Sequence, residues 1–302
     1  PLPTSDVKSE EDLSLDSDMM LEEPTTIMSK NFFTAVDHHR RQSTFATSGS
    51  VVDLWSMHRS EPITSFSWGA DTINTIKFNP VEVNVLATAA DDRNIVLYDV
   101  RAATPIRKLV MAMKTNKICW NPMEAFNFTC ANEDHNLYTF DMRKMKRAIN
   151  VHKDHVSAVL DIDYSPTGKE FVSGGYDKST RIFSSTQGRS REVYHTKRMQ
   201  RIFAVQWSSD NKYILTGSDE MNIRLWKTDA SEHLGTVSAR QRTAQKYNAA
   251  LKDRFRHHPD IKRIARHRHV PKAIFKAKAL KATMERAASK KVANAIQHKS
   301  VK

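Results

Sequence analysis

Short apolar runs alternate with polar turns along most of this 302-residue chain, and the alternation repeats. Its clearest copy is 217–226 (GSDEMNIRLW), a tight polar turn followed by an alternating strand that ends on an aromatic. The same shape recurs at 90–98 (ADDRNIVLY), 132–140 (NEDHNLYTF) and 175–183 (GYDKSTRIF), and in shortened form at 48–55 (SGSVVDLW). Alternation over a few residues, bounded by Gly, Asn, Asp or Ser, predicts half-buried strands. The closing aromatics Trp55, Tyr98, Phe140, Phe183 and Trp226 stand 43, 42, 43 and 43 residues apart. A second series keeps step with them. Phe78-Asn79-Pro80, Trp120-Asn121-Pro122, Tyr164-Ser165-Pro166 and Trp207-Ser208-Ser209 each close a strand with a turn, at intervals of 42, 44 and 43.

A period of about 40–45 residues with four short strands to a unit is that of WD40 propeller blades, so the expected fold is an all-β propeller. The first unit, 31–55, reads as partial, and fuller blades are expected at roughly 60–100, 105–143, 148–187 and 195–230. Propellers close with about 4–8 blades. A partial first unit in a chain that begins at Pro1 leads to the expectation that upstream blades are missing and strand edges exposed.

At 236 the period changes. Ser238 with Gln241 three residues on forms a capping box, and Ala244, Tyr247, Leu251 and Phe255 then mark one face of a helix. His258-Pro259 ends it, a basic segment follows over 261–272, and a second helical pattern runs from Pro271 to about His298. That pattern uses Ile274, Phe275, Met284, Ala288, Val292 and Ile296, with Lys278 contributing its aliphatic stem. Three regions are therefore expected: an acidic disordered linker or loop (1–30), propeller blades (31–235) and a basic helical tail (236–302).

Charge sharpens this division. Residues 238–302 carry 19 Lys or Arg against 3 Asp or Glu, so the net charge of +13 belongs to the tail and the remainder is slightly acidic. A basic tail on a near-neutral scaffold points to a polyanionic partner. Residues 1–30 hold eight acids and two lysines, and Ser5, Ser9, Ser14 and Ser17 beside them are candidate phosphorylation sites. Cys119 and Cys130 lie within apolar strand patterns, which suits buried thiols in a reducing, intracellular setting. No apolar run approaches the ~18 residues of a membrane span, and no leader pattern is present, so neither a membrane nor a cofactor is expected.

No catalytic constellation emerges. The chain has neither a Walker-type Gly-rich loop nor a Gly-x-Ser-x-Gly elbow. His155 with Asp177 reads as the structural hydrogen-bonded pair of a blade, although Phe183 replaces the Trp that completes it. The His267-x-His269 pair, near His257-His258, lacks a cysteine, and the surrounding cations would repel a divalent ion, so no metal is assigned. Imidazoles and guanidiniums suit phosphate better, and Lys262, Arg263, Arg266, His267, Arg268, His269 and Lys272 are the candidate RNA-binding residues. A solvated helix face, an import signal or a protein dock remain alternatives for the same charge. Two further copies, Tyr98-Asp99-Val100-Arg101 and Phe140-Asp141-Met142-Arg143, read either as turn chemistry or as projecting pairs that dock a partner.

The segments 116–126 (NKICWNPMEAF), 155–164 (HVSAVLDIDY), 165–170 (SPTGKE), 192–200 (EVYHTKRMQ) and 217–226, and above all 261–271 (IKRIARHRHVP), resemble the suppressor-of-fibrillarin WD40 proteins of the small-subunit processome. The resemblance implies a seven-bladed propeller followed by a basic helical extension, of which about two to three front blades are absent here. It implies a non-enzymatic role in pre-rRNA processing and small-subunit maturation in the nucleus and nucleolus. The implied partners are pre-ribosomal RNA, a box C/D small nucleolar RNA particle and other processome proteins. Vertebrate-like members are also described as substrate receptors of a cullin-based ubiquitin ligase, whose adaptor binds Trp-Asp-x-Arg boxes. Here Asp99, Arg101, Asp141 and Arg143 occupy those positions, with Tyr98 and Phe140 where Trp is usual.

Overall fold

In the computed structural model, which describes residues 26–29, 31–67, 71–102, 104–233, 235–267 and 269–300, each repeat folds as an antiparallel meander. The first sheet comprises β1 (Ala35–His38), β2 (Thr44–Ser48), β3 (Val52–Ser56) and β4 (Thr64–Phe66). The second comprises β5 (Ile73–Phe78), β6 (Val85–Ala90), β7 (Asn94–Asp99) and β8 (Pro105–Val110). The third holds β9 (Thr115–Trp120), β10 (Asn127–Asn132), β11 (Leu137–Asp141) and β12 (Asn150–His152). The fourth holds β13 (Val159–Tyr164), β14 (Glu170–Gly175), β15 (Thr180–Ser184) and β16 (Ser190–Tyr194). The fifth is β17 (Ile202–Trp207), β18 (Tyr213–Ser218) and β19 (Ile223–Lys227). The expected acidic linker, 1–30, lies, apart from 26–29, outside the described residues.

Two expectations shift. The repeat units start one strand early: β4, β8 and β12 each pair into the preceding sheet rather than opening the next. A period fixes spacing but not phase, and a strand that closes one meander has the same pattern as one that opens another. The first unit, expected to be partial, is a four-stranded sheet whose β1 and β4 have only 4 and 3 residues. The three-stranded sheet is the fifth, where β19 gives way to a polar segment.

The cores lie between sheets. Leu54 and Phe66 of the first meet Ile76, Phe78 and Tyr98 of the second. Ala87 and Leu97 meet Ile118, Trp120 and Phe140 at the next boundary, and Val172 and Ile182 meet Ile202, Trp207 and Ile214 at the last. The closing aromatics Trp55, Tyr98, Phe140 and Phe183 are all buried, so Tyr98 and Phe140 fill the place Trp55 fills. Burying each such ring contributes about 2–3 kcal/mol. In the fifth sheet Leu215, Ile223 and Leu225 are exposed.

The innermost strands β1, β5, β9, β13 and β17 line a central cavity of about 670 Å³. They belong to different sheets and share no ladder, so carboxylates capture their backbone donors. Asp37 accepts the Phe78 N–H at 2.7 Å, Asp161 that of Val205 at 2.8 Å and Asp163 that of Trp207 at 2.7 Å. The turn asparagines do similar work: Asn79 donates to the Ala125 carbonyl and Asn121 to that of Gly168.

Candidate functional site

The tail forms three helices. α1 (Ala239–Arg254) opens on the expected capping box, with Ser238 Oγ accepting from the Gln241 N–H and Gln241 Oε1 from the Ser238 N–H. Its apolar face, Tyr247 and Leu251 with Phe255 just beyond, is exposed. α2 (Pro259–Arg266) was not expected: Pro259, read as a break, occupies the first helical turn, where its missing N–H has no cost. The basic segment 261–272 is thus half helix. α3 (Lys272–Ser300) follows with 29 residues, about 43 Å of helix.

The predicted RNA-binding residues divide between these elements. Lys262 and Arg263 are exposed on α2, Arg263 lying 3.8 Å from Asp260. Lys262 lines a shallow cavity with Arg256 and His257, neither of which is among the predicted RNA-binding residues. Arg266 ends α2 and His267 follows it, while Arg268 lies outside the described residues. His269 is drawn to the propeller: its carbonyl accepts from His195 Nε2–H at 3.0 Å and the two imidazoles stack at 5.6 Å. Lys272 opens α3 and is exposed.

What holds the tail against the blades is a set of contacts that sequence spacing did not reveal. Ile274 is buried beside a cavity of about 620 Å³ that Val156, Tyr176 and Met199 also line. Lys278 Nζ reaches Asp154 Oδ1 at 2.8 Å, and Lys281 Nζ donates to the His155 carbonyl at 3.0 Å. Asp154 is buried and also accepts the Ser190 N–H and hydroxyl, both at 2.8 Å. Burial alone would raise its carboxyl, but the bonds from Lys278 and Ser190 outweigh that and hold it below the usual range. Lys278, whose stem was expected to serve an apolar face, acts through its ammonium. Beyond Ala282, every described side chain through His298 is exposed, Arg286, Lys290 and Lys291 among them.

Beneath this contact lies the His155–Asp177 pair. His155 Nδ1 meets Asp177 Oδ2 at 2.9 Å, His155 Nε2 meets Ser173 Oγ at 2.7 Å, and Ser179 Oγ donates to Asp177 Oδ1 at 2.8 Å. Both residues are almost wholly enclosed, with side-chain exposures of 0% and 3%. Burial opposes the charge on Asp177, but His155, Arg181 and Ser179 outweigh it and hold the carboxyl at about 2. Phe183 packs against the His155 ring where no indole can complete the chain. Every polar atom of the pair is turned inward, which is the arrangement of a structural clamp.

The two Asp-x-Arg turns follow β7 and β11, equivalent strands of adjacent sheets. Asp141 grips Arg143 through Nε–Oδ1 at 3.1 Å and Nη2–Oδ2 at 2.9 Å, and the guanidinium lies 4.3 Å over the Phe126 ring. The bond from Arg143 is the largest influence on the Asp141 carboxyl and lowers it. Among the described residues the Asp99 carboxylate accepts the Arg101 backbone N–H alone, at 3.0 Å. The second turn therefore presents an oriented arginine and the first does not.

Cys130 is buried and Cys119 half-buried; neither forms a disulfide, and burial pushes both thiols up to about 12. Among the described residues no three His, Cys, Asp or Glu side chains converge as a metal site would require, and no helix is long and apolar enough to cross a membrane.

Residues 228–302 match the Sof1-like domain, and 146–184 and 191–227 match the WD domain, G-beta repeat. The chain is 57% identical over 273 residues to DDB1- and CUL4-associated factor 13 of Xenopus tropicalis, covering 90% of this chain and 61% of that protein. Identity to the protein of the same name in Homo sapiens is 58% over 278 residues, covering 92% and 62%. Protein SOF1 of Saccharomyces cerevisiae is 50% identical over 256 residues, covering 85% of this chain and 52% of its own length. The chain thus spans about three fifths of the vertebrate relatives it matches.

Proposed function

Since the chain belongs to the WD-repeat proteins that carry a Sof1-like domain, we propose that it is a non-enzymatic assembly factor of the small-subunit processome, working in the nucleolus. Its blades grip processome proteins, and its basic tail lies along pre-ribosomal RNA within the particle that holds the box C/D small nucleolar RNA. The observation that carries this reading is the division of α3: its first turns are fastened to the blades through Lys278 and Asp154, while the remainder extends exposed cations into solvent. A helix anchored at one end and cationic at the other suits a phosphate backbone, whose neutralisation releases counterions and gives sequence-blind affinity. Crosslinking of the whole chain in nuclear extract tests it. Crosslinks from α2 and α3 to pre-ribosomal RNA are expected; crosslinks confined to proteins would refute the RNA role.

A second reading, capture of a cullin-ligase adaptor, is favoured by the orientation of Arg143 on Asp141 and Phe126 and by the names of the vertebrate relatives. On this reading Arg101→Ala with Arg143→Ala abolishes co-purification of the adaptor and leaves RNA association intact. Because only Arg143 is oriented, the second substitution alone accounts for most of the loss. Unchanged recovery of the adaptor from the double variant would exclude these turns as its dock.

A further inference from the structure

The loop joining β11 to β12 reads Met142-Arg143-Lys144-Met145-Lys146-Arg147-Ala148, with an apolar residue at every third position. Met145 is buried, and Met142 and Ala148 pack partly buried against the same cluster between the second and third sheets. Three anchors along so short a loop fix its course, and the four intervening cations are all exposed. With Arg107 of β8 they line a cleft of about 520 Å³ between the outer parts of the two sheets. Asp141 is the one carboxylate among the residues lining the cleft, and it is engaged by Arg143. Among the described residues, Arg107, Lys144, Lys146 and Arg147 form no ion pair, Asp141 being bridged to Arg143 alone.

The equivalent connections lack this charge. The chain after β3 offers Arg59 beside Glu61, that after β7 offers Arg101, and that after β15 offers Arg189. The concentration of cations is therefore particular to one blade and is not a general feature of the rim.

We propose that this loop is a second phosphate-binding site for RNA, on the propeller and separate from the tail. It rests on the reading that the protein works on RNA, but not on the tail being the contact. A pinned loop loses little conformational entropy on binding, and a cluster of uncompensated ammonium and guanidinium groups matches successive phosphates. An acidic protein partner would need an apolar anchor at the centre of its interface; of the two apolar residues lining the cleft, Met145 is committed to the core between the sheets, which leaves the half-exposed Ile149.

The test uses the full chain, a short fluorescein-labelled single-stranded RNA and anisotropy across a salt series. Lys144→Ala, Lys146→Ala and Arg147→Ala together should weaken binding uniformly across RNA sequences and make the slope of log K against log salt shallower by about 2, at ~0.7 per cation. Charge reversal at the same positions should deepen the loss while the urea midpoint stays unchanged, because the three anchors are untouched. An unchanged slope overturns the proposal. So does unchanged RNA affinity with loss of an acidic protein partner, which would make the cleft a protein dock. Substitution of the tail cations in parallel separates the two readings. If the loop variant flattens the slope and the tail variant does not, the tail assignment fails and this one stands; the reverse result does the opposite.

Discussion

Replacing Lys278 by Ala removes one charged partner of the contact that fastens α3. Asp154 is 7% exposed and Lys278 46%, so their 2.8 Å bond is shielded on one side and wet on the other. A hydrogen bond to a charged group contributes about 1.5–3 kcal/mol, and solvent around the lysine reduces this to about 1–2 kcal/mol. Asp154 keeps both bonds from Ser190, so the blade itself stays folded. Ile274 and the Lys281–His155 bond still hold the helix, which loosens without departing. Such a loss raises the undocked population by a factor of about 5–30. Hydrogen exchange followed by mass spectrometry on the full chain reads this directly, because most helical stability in a protein comes from tertiary packing, which undocking removes. Amides of 272–282 should exchange faster by that factor in Lys278→Ala, whereas Lys290→Ala, in the exposed stretch, should leave them unchanged. Acid should act in the same direction. The Asp154 carboxyl is held below its ordinary value, so its contribution to docking is complete above about pH 4 and is lost as pH falls through the folded-state value. Unchanged protection in Lys278→Ala, together with no coupling to Asp154→Asn in a double-mutant cycle, would refute this account of the tail.

Two other substitutions probe the scaffold. Asp177, held at about 2, contributes about 2 kcal/mol of stability that is complete above about pH 4 and lost between about pH 4 and 2; Asp177→Asn should flatten that acid limb of the urea midpoint, and an identical acid limb would show that the His155 clamp is not a stability term. Gly174→Ala would place a Cβ 2.5 Å from methyl groups of Ile202 and Val205, wedging the fourth and fifth sheets apart at a cost of about 1–3 kcal/mol; an unaltered urea midpoint would mean that these sheets do not pack so closely.

Much of the propeller was legible because it repeats. Buried aromatics at Trp55, Tyr98, Phe140 and Phe183 must recur wherever a third strand closes on the core, and the turn residues Asn79 and Asn121 mark the same period. Phase was not legible, since pairing is decided by which neighbour a short outer strand such as β4 meets and not by its own pattern. The His155–Asp177 pair could be read because both residues sit at fixed places in one repeat. The Lys278–Asp154 contact could not, because 124 residues separate its partners and a lysine on a basic helix gives no sign of which cation turns inward. α2 was missed for a simpler reason: proline both ends and begins helices, and at Pro259 it begins one. The stacking of Arg143 on Phe126 brings together the residue just before β10 and a residue just after β11, a meeting set by the pairing of those strands, which only folding supplies.

The account is tested most directly by the salt dependence of RNA binding to the whole chain, with and without Arg263→Ala, Arg266→Ala, Arg268→Ala and Lys272→Ala. If the tail is the RNA contact, the four substitutions weaken binding equally for unrelated RNA sequences and make the log–log slope shallower by about 3, at ~0.7 per phosphate contact. Affinity and slope equal to those of the unaltered chain would contradict the claim that these helices hold RNA.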